Sequence, residues 1–596
     1  MAGAGQDQSA GISRREFIRT AGAVGAAAYL GSQLGGCDAS RSAATASART
    51  LSGRPPPGGP YNILFILTDQ ERYFDRYPRG MSLPGRERLM RDGVTFTNHQ
   101  ICAAVCTPSR SVILTGQHIQ HTRMFDNTNF PWIENMSTDI PTIGHMLRKM
   151  GYYTAYQGKW HLHQGMHESK PLKGELADPK IMEAYGFADY VGPGDIIGMT
   201  LGGYHYDHVV AATAGTWLRK RARSLNADGQ PWFLALGFVN PHDVMFYDTD
   251  LPGTRVQGAQ RTGKQISREP PHAIYRQKWD MPLSSTRRQR WDEKGRPPAH
   301  LEYQNSRQSL VGRFPNEDGR WRRLQDYYLN CIRDCDRSVE LLLKELDELG
   351  LMNNTIVVLT SDHGELCGAH GMHGKGATAY REQNHVPLII SHPAMRGGQK
   401  CKAVTSHLDL VPTMIGMARG DSSKKARLTK KLRGKDLSPL LRAPEKAPLA
   451  AVRTAGLYCY NMWSSQDADF IGKAMASSLA GKKPPADLRP DFRKRGAIRT
   501  VFDGRYKFSR YFSPVQHNRP VTMEQLRKFN DLEWDDEGRG PAEAHNRAAG
   551  PTKNGELTLA MNEKLNALID QEVGEDVGQM LPKAPGVNWA ITKFDP

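Results

Sequence analysis

Three short, almost entirely apolar runs constrain the fold of this chain more than any other feature. They cover residues 61–68, 231–239 and 355–361. Each run is followed at once by polar residues, which are Asp69-Gln70, Asn240-Pro241-His242 and Asp362-His363. A continuous apolar run of this length is typical of a strand buried on both faces of a parallel sheet. Because such sheets bind ligands at the carboxyl ends of their strands, we expect these polar residues to carry the chemistry.

Strands of this kind alternate with helical segments over most of the chain. Residues 140–151 and 327–349 have the periodicity of helices, and each stretch stops at a glycine. Residues 152–156 and 386–390 are predicted to be further strands. The repetition of strand, loop and helix predicts an α/β fold whose large domain has a mostly parallel central sheet flanked by helices.

Two regions depart from this alternation. Residues 245–323 lack regular apolar periodicity and are rich in Arg, Pro and Gly, which indicates a long, basic, substrate-facing insertion. Residues 441–596 are predicted to form a smaller C-terminal subdomain with a short antiparallel sheet and a helix near 557–573. The large domain is therefore placed at 61–440.

The first residues have the features of an export signal. Residues 13–18 read Ser-Arg-Arg-Glu-Phe-Ile and precede a mildly apolar, Gly/Ala-rich run, a combination typical of a twin-arginine signal. The run ends in Leu-Gly-Gly-Cys at 34–37, which resembles a bacterial lipobox. We interpret residues 1–37 as the signal, with Cys37 as a lipidated membrane tether, and residues 38–60 as a disordered linker.

Bulk composition narrows the functions to be considered. The 596 residues are 39% hydrophobic and 24% charged, which is typical of a soluble globular protein with two domains after its leader. A net charge of +17 favours an acidic partner, but no nucleic-acid-binding motif accompanies it, so nucleic acid is not expected. The eight cysteines form no Cys-x-x-Cys pair, which argues against a disulfide scaffold or a zinc site.

One cysteine has an unusual setting. Residues 106–110 read Cys-Thr-Pro-Ser-Arg, and Ser-Val-Ile-Leu-Thr-Gly follows them. Pro108 presets a first-turn backbone angle, so a loop is predicted to run into a helix here. Cys106 lies just before the N-terminus of that helix, and Arg110 lies one turn further on. Both the helix end and the arginine are positive, so the position suits an anion.

Candidate metal ligands follow two of the apolar runs. Asp69, Gln70 and Asp362 offer the oxygen atoms that hard divalent cations prefer, and His363 adds an imidazole. The segment Gly-Lys-Trp-His at 158–161 follows the strand predicted at 152–156. These positions are the ones where a parallel sheet would gather ligands.

The ordered blocks of residues 61–540 resemble the sulfatase family of the alkaline-phosphatase superfamily. In the family's order, the blocks are Leu-Thr-Asp-Gln, Cys-Thr-Pro-Ser-Arg, Gly-Lys-Trp-His, Asn-Pro-His, Ser-Asp-His-Gly-Glu with Lys375, and His-Leu-Asp-Leu-Val-Pro-Thr. Each block alone is weak, whereas six in this order are strong evidence. The C-terminal region also fits the family's smaller domain.

The resemblance implies a sulfuric ester hydrolase whose Cys106 is oxidised to formylglycine by a formylglycine-generating enzyme. The aldehyde hydrate presents two hydroxyls. One hydroxyl, bound to a divalent metal ion, would attack sulfur, and the other would then lose a proton and expel sulfate. The metal ligands implied are Asp69, Gln70, Asp362 and His363, together with residue 106.

The same resemblance implies roles for the nearby cations and histidines. Arg110, Lys159 and Lys375 would hold the hydrate and the sulfate oxygens. His161 would assist deprotonation of the second hydroxyl, and His242 or Lys375 would protonate the leaving group.

The metal pattern departs from that of many sulfatases, which carry Asp-Asp at the first position and Asp-Asn at the second. Asp69-Gln70 and Asp362-His363 resemble instead the choline-sulfatase and phosphonate monoester hydrolase members. The family implies Ca²⁺, whereas an imidazole ligand favours Mn²⁺ or a similar ion.

Three functions follow for comparison. The first is a sulfatase that the twin-arginine translocase exports in folded form, periplasmic or anchored on the outer side of the cytoplasmic membrane, with a sulfated small molecule or glycan as substrate. The second is a phosphonate or phosphate ester hydrolase with the same site. The third is an inactive lipoprotein that binds anionic glycans through residues 245–323. The complete ligand set argues against the third, because an idle site has no need to keep so many buried charges together.

Overall fold

The structure is a computed structural model that describes residues 60–576 apart from 131–132, 168–175, 197, 260–264, 463, 486, 540–542 and 549–554. The predicted signal at 1–37, and the predicted linker up to residue 59, lie outside the described residues. Among the helices described, none is both long and apolar enough to cross a membrane.

Thirteen strands are described. They are β1 (Asn62–Asp69), β2 (Val94–Phe96), β3 (His99–Gln100), β4 (Tyr153–Gly158), β5 (Trp232–Pro241), β6 (Thr355–Ser361), β7 (Leu388–Ser391), β8 (Gln399–Cys401), β9 (Thr405–Ser406), β10 (Gly456–Tyr460), β11 (Ala497–Phe502), β12 (Tyr506–Phe512) and β13 (Asn530–Asp536). Each of the three apolar runs lies in a strand of the large sheet, as predicted.

The α-helices of the described residues are numbered in the same way. They are α1 (Pro84–Asp92), α2 (Cys106–Thr115), α3 (Ile119–Thr122), α4 (Ile143–Lys149), α5 (Pro179–Ala184), α6 (Gly202–Trp217), α7 (Arg223–Ala227), α8 (Ala299–Val311), α9 (Asp318–Glu348), α10 (Arg381–Asn384), α11 (Leu410–Met417), α12 (Ser422–Thr429), α13 (Ala468–Leu479), α14 (Met523–Phe529) and α15 (Gly555–Glu572).

The large sheet has seven strands in the order β4-β5-β1-β6-β7-β2-β8. Strand β1 pairs in parallel with β5 and β6, and β4 pairs in parallel with β5. Only β7, among these strands, runs antiparallel to its neighbours. The prediction of a mostly parallel sheet flanked by helices is confirmed.

Both faces of this sheet are covered, which explains why its strands read as unbroken apolar runs. On one face, Ile63, Phe65 and Leu67 of β1 join a core that includes Val112 and Ile113 of α2. On the other face, Leu64 and Ile66 join a second core with Val339 and Leu342 of α9. Successive residues of β1 thus point into two different helical layers, and all eight residues of the strand are buried.

The carboxyl ends of the central strands lie at one edge. Leu67 of β1 pairs with Gly237 of β5, Thr68 of β1 pairs with Ser361 of β6, and Gly158 of β4 also pairs with Gly237. The polar residues that follow these strands therefore leave the sheet side by side.

The C-terminal region forms its own antiparallel sheet, as predicted, with the strand order β10-β11-β12-β13. Helix α15 lies near the helix predicted at 557–573. The sheet begins at Gly456, and the domain boundary placed at residue 440 stays a prediction.

Helix α9 starts nine residues earlier than predicted, and the stretch 245–323 contains helix α8. In the sequence, arginines and glutamines separate the apolar residues of both helices, so the helical periodicity was not recognised there. Part of the insertion also packs inward, since Tyr275, Met281 and Phe314 join an apolar cluster with Trp321 and Leu324 of α9. This part of the insertion therefore packs into the apolar core and does not form the predicted substrate-facing surface.

A buried charge network fastens α15 to the large domain. Arg453 contacts Asp409 and places Nη1 2.5 Å from Glu572 Oε1, and His118 Nε2 lies 3.0 Å from Glu572 Oε2. Burial works to raise the pKa of Glu572, but Arg453 and His118 hold that pKa below its ordinary value of 4.5. The carboxylate therefore contributes stability above pH 4.5 that is lost as the pH falls through its pKa in the folded protein.

We expect Glu572→Gln to lower the free energy of unfolding by about 3 kcal/mol at pH 7, because it leaves Arg453 with one buried partner fewer. The deficit should shrink progressively as the pH falls from 4.5 through the lowered pKa of Glu572 in the folded protein, because the wild-type carboxylate then becomes protonated as well. Urea titrations at the two pH values measure both effects. Glu563→Gln, on the exposed side of the same helix, is the matched control. An equal deficit at both pH values would refute the electrostatic origin.

Candidate active site

Four polar side chains meet where the central strands end. Asp69 is the last residue of β1 and Asp362 follows β6, while Lys159 and His242 follow β4 and β5. All four are buried, and the two aspartates are fully so. The parallel register therefore brings together residues that are up to 293 positions apart in the sequence, as the strand-end pattern predicted.

Cys106 faces this group from the first position of α2. The helix begins without a side-chain cap, so the positive end of its dipole is directed at the strand ends. Cys106 Sγ lies 3.2 Å from His363 Nε2 and 3.8 Å from Asp69 Oδ1. The helix predicted to follow Cys106 is thus present, although it begins at Cys106 itself, and it brings the cysteine to the candidate ligands.

The donor set at this edge fits a divalent cation. One ligand atom from each of Asp69, Cys106, Asp362 and His363 lies within 4.8 Å of the others, and all four residues are buried. His363 Nδ1 lies 3.1 Å from the carbonyl oxygen of Gly364, to which it donates. This contact leaves the Nε2 lone pair directed at the aspartates, 3.6 Å from Asp362 Oδ1 and 3.9 Å from Asp69 Oδ1.

Arg110 and Lys159 surround the two aspartates with positive charge. Arg110 donates from Nε to Asp362 Oδ2 at 2.9 Å and from Nη2 to Asp69 Oδ2 at 3.1 Å. Its third branch, Nη1, donates to the carbonyl oxygen of Lys159 at 2.9 Å. Lys159 Nζ itself lies 2.5 Å from Asp69 Oδ2. Both cations are therefore rigidly placed beside the ligand cluster, with no exposed side-chain surface.

The surroundings of the two aspartates shift their pKa values in opposite directions. Burial works to raise the pKa of Asp69, but Lys159 and Arg110 hold it well below its ordinary value. At Asp362, burial and the repulsion from Asp69 raise the pKa to about 6. A cation bound between the two carboxylates would relieve that repulsion, which is a second reason why the donor set fits a metal ion.

Gln70 and Lys375 lie beside the cluster and contact each other. Lys375 Nζ donates to Gln70 Oε1, and Gln70 Nε2 donates to Glu365 Oε2. Glu365 is held in turn by the backbone N–H groups of Cys367 and Gly374, at 3.0 and 2.6 Å. The orientation of the Gln70 amide is thereby determined, with its oxygen directed at Lys375.

The two histidines predicted to act as acid and base are buried and neutral. Burial, reinforced by Lys159, holds the pKa of His161 well below its ordinary value, and burial with Lys375 does the same for the pKa of His242. Among the described residues, neither ring nitrogen of His161 has a hydrogen-bond partner. The ring nitrogens are therefore available to a bound substrate or nucleophile, but the lowered pKa means that the imidazole gains a proton only when negative charge develops beside it.

Asp195 is a residue of the site that the sequence did not reveal. Its carboxylate accepts the backbone N–H groups of Trp160 and His161, at 2.6 and 2.8 Å, and so holds the turn that presents Lys159 and His161. His161 has a φ of 62°, a left-handed conformation that these two hydrogen bonds stabilise. Asp195 lies in a glycine-rich loop without periodicity, so no local signal pointed to it.

His407 had been noted only as part of a sequence block. Its Nδ1 lies 3.2 Å from Ser109 Oγ, and its Nε2 lies 3.1 Å from the carbonyl oxygen of Ser361. Ser109 Oγ also donates to the carbonyl oxygen of Asp362. The histidine therefore ties helix α2 to the end of β6 and keeps Cys106 close to Asp362.

Comparison with known proteins agrees with this geometry. The sulfatase family matches residues 61–420, which is more than half of the chain. The ulvan-active sulfatase of Formosa agariphila is 27% identical over 412 residues, covering 67% of this chain and 68% of that protein. The choline-sulfatase of Rhizobium meliloti is 26% identical over 384 residues, covering 60% and 68%.

The fold is shared with a solved structure. The phosphonate monoester hydrolase of Silicibacter pomeroyi matches with a TM-score of 0.59 and 20% sequence identity, over 86% of this chain and 96% of that chain. The α/β architecture expected for the alkaline-phosphatase superfamily is thus confirmed. The family match over more than half of the chain, with the sulfatase relatives, establishes that the chain belongs to the sulfatase family and is a sulfuric ester hydrolase.

Proposed function

We propose that this protein cleaves a sulfate ester with a formylglycine derived from Cys106, assisted by one divalent metal ion. The observation that carries the proposal is the position of Cys106 at a helix N-terminus, with its sulfur within 4.8 Å of ligand atoms of Asp69, Asp362 and His363. A plain buried thiol has no use for two carboxylates and an imidazole within reach of its sulfur. A residue that must bind a metal ion and attack an ester has use for all of them.

Asp69, Asp362 and His363 would hold the ion, with Gln70 at the rim of the set. When bound, the ion would supply a Lewis acid that lowers the pKa of the nucleophilic hydroxyl and neutralises charge on the sulfate oxygens. A formylglycine hydrate at position 106 would supply hydroxyls in place of the thiol. The imidazole in the ligand set favours Mn²⁺ over the Ca²⁺ that the carboxylates would accept, so both ions belong in the test.

Side chains of the protein would stabilise the charge on the sulfate oxygens and transfer the protons. Arg110 and Lys159 are fixed before substrate arrives, so they need no reorganisation as charge shifts onto the sulfate oxygens. His161, neutral and without a hydrogen-bond partner among the described residues, would accept a proton from the hydroxyl at residue 106. His242 or Lys375 would deliver a proton to the departing alcohol, and His242, which is neutral in the structure, would first have to be protonated.

We propose a sulfated glycan or small sulfated molecule as the substrate. Support comes from the net charge of +17 and from the Arg-rich stretch at 245–323, which would attract an anionic substrate. One relative carries the name of an ulvan-active sulfatase, which agrees with this class. The alternative substrate is a phosphonate or phosphate ester, because the pairs Asp69-Gln70 and Asp362-His363 resemble the metal positions of phosphonate monoester hydrolases as well as those of choline-sulfatases.

Export through the twin-arginine translocase stays a proposal, as does lipid attachment at Cys37. The proposal rests on the sequence of residues 13–37 alone. Because this route carries folded proteins, a formylglycine-generating enzyme would act on Cys106 before export. The exported protein would then be periplasmic or anchored on the outer side of the cytoplasmic membrane.

Mass spectrometry of the exported protein tests these proposals together. We expect the peptide containing residue 106 to carry an aldehyde in place of the CH2SH group. An unmodified cysteine in fully active protein would refute the proposed nucleophile. In the same preparation, kcat/KM for nitrophenyl sulfate should exceed that for a nitrophenyl phosphonate ester, with Ca²⁺ and Mn²⁺ supplied separately. A clear phosphonate preference would favour the alternative instead.

A further inference from the structure

We propose that the protein has a second divalent cation site, separate from the catalytic one, formed by His370, Glu382 and Glu543. One ligand atom from each of the three lies within 4.8 Å of the other two. His370 and Glu382 belong to the segment that follows β6, whereas Glu543 belongs to the C-terminal region beyond β13. The site would thus join the segment that carries Lys375 to the C-terminal sheet.

The His370 imidazole is held in the form that binds metal ions. The ring stacks on Tyr380, with centroids 3.5 Å apart and planes 8° from parallel. Gln289 Nε2 donates to the carbonyl oxygen of Ala544 at 2.7 Å, which directs Gln289 Oε1 at His370 Nδ1, 2.8 Å away. The amide oxygen can only accept, so Nδ1 carries the proton and Nε2 presents a lone pair.

That lone pair faces another acceptor. His370 Nε2 and Glu382 Oε2 lie 4.0 Å apart, and within the described part of the chain neither atom has a hydrogen-bond partner. His370 is completely buried, so water does not compensate its nitrogen. A proton shared between the two atoms would draw them to about 2.8 Å. Two buried acceptors that stay further apart than a hydrogen bond are instead the arrangement expected around a cation.

Glu543 supplies the third ligand from an anchored carboxylate. Its Oε1 lies 2.6 Å from Lys507 Nζ, and its Oε2 accepts the backbone N–H of Arg381 at 2.7 Å. Each carboxylate oxygen retains a further lone pair for an ion. Lys507 also contacts Glu537, at 3.0 Å, so its single charge is already divided between two carboxylates.

A cavity beside Glu543 would admit an ion, and the carboxylates of Glu533 and Asp535 would attract it. A cavity of about 190 Å³ is lined by Glu533 and Glu543 together with Lys294 and Arg296, and of the three proposed ligands Glu543 alone borders it. Asp535 adds another buried carboxylate next to Glu533 and Glu543. An ion could therefore approach the ligands from the side of Glu543, past lining groups of both charges, without unfolding of the C-terminal region.

One imidazole and two carboxylates suit a borderline ion such as Zn²⁺ or Mn²⁺ better than Mg²⁺, which prefers an all-oxygen shell. An ion at this site would link the C-terminal region to the segment between Asp362 and Glu382 through shared ligands. Its role would be structural, because none of its three ligands contacts Cys106 or the catalytic cluster among the described contacts.

Metal content of the full chain tests the proposal. Protein stripped with a chelator is equilibrated with Zn²⁺ or Mn²⁺ separately, desalted and measured by mass spectrometry of the elements. We expect about two ions per chain for the wild type and about one for Glu382→Gln, an isosteric change at a partly exposed residue. Glu293→Gln removes an exposed acid from the rim of the same cavity and should leave the content unchanged.

A second variant separates this site from the catalytic one. Asp69→Asn combined with Asp362→Asn should still bind about one ion, which raises the Tm, and adding His370→Gln should abolish both effects. The proposal is overturned if the double aspartate variant, shown to be folded by circular dichroism, binds no ion. It is equally overturned if Glu382→Gln binds as much metal as the wild type.

Discussion

Replacement of Cys106 by alanine should abolish sulfate ester hydrolysis, lowering kcat by about 10⁴-fold or more. The reason is that alanine offers neither the thiol nor an aldehyde derived from it, so no nucleophile remains at the N-terminus of α2. The buried cations and carboxylates would stay in place, because among the described residues the cysteine side chain contacts just Asp69 and His363 through polar atoms. Steady-state kinetics with nitrophenyl sulfate measure the loss.

The matched control is Cys102→Ala, which removes another fully buried cysteine four residues earlier in the same segment. Cys102 belongs to the apolar core and lies outside the ligand cluster. We expect a stability loss of about 1–2 kcal/mol from this smaller side chain, with kcat within about twofold of the wild type. A Cys106→Ala enzyme with more than a tenth of wild-type activity would contradict the proposed nucleophile.

Arg110→Lys should lower kcat/KM by about 10²–10³-fold, although the positive charge is kept. The guanidinium donates three hydrogen bonds in three directions, to Asp69, Asp362 and the carbonyl oxygen of Lys159. A lysine has a single charged nitrogen at the end of a shorter, unbranched side chain, so it cannot reach all three acceptors at once. The two aspartates would then lose their fixed spacing, and with it the geometry for a metal ion and for the sulfate oxygens.

Arg86→Lys is the control that distinguishes a loss of stability from a loss of catalysis in Arg110→Lys. Arg86 is as deeply buried as Arg110 and also bridges two acids, with Nη2 2.5 Å from Glu71 Oε2 and Nη1 2.7 Å from Asp336 Oδ1. Both lysine variants should lower the free energy of unfolding by about 2–4 kcal/mol, as urea titration would show. Only Arg110→Lys should lose activity at a temperature where both proteins are folded. Equal losses of activity would show that Arg110 acts through stability alone.

Much of the candidate site was predictable because its signals are local. The runs that end at Asp69, His242 and Asp362 have the pattern of strands covered on both faces, and the two helical layers provide that cover. Parallel strands expose their carboxyl ends at one edge, so side chains distant in sequence could be predicted to meet. The helix after Cys106 was likewise predictable from Pro108 and the apolar residues that follow it.

Other features depend on contacts between distant segments and left no local pattern. Asp195 matters because two backbone N–H groups from another loop reach it. The start of α9 was missed because arginines separate the apolar residues that pack against the stretch before it. His370 and Glu543 lie close together although His370 follows a strand of the large sheet and Glu543 follows the last strand of the C-terminal sheet. No spacing in the sequence indicates such a contact.

The sequence by itself determined the fold class, the edge of the sheet that carries the chemistry, and the residue types gathered there. These depend on hydrophobic periodicity and on strand direction, both of which are properties of short segments. Only the tertiary structure decided which atoms face each other: the lone pair of His363 toward two aspartates, the fork of Arg110 between them, and Cys106 against both. Such distances depend on how whole layers pack, because a side chain's contacts are set by neighbours from remote parts of the chain.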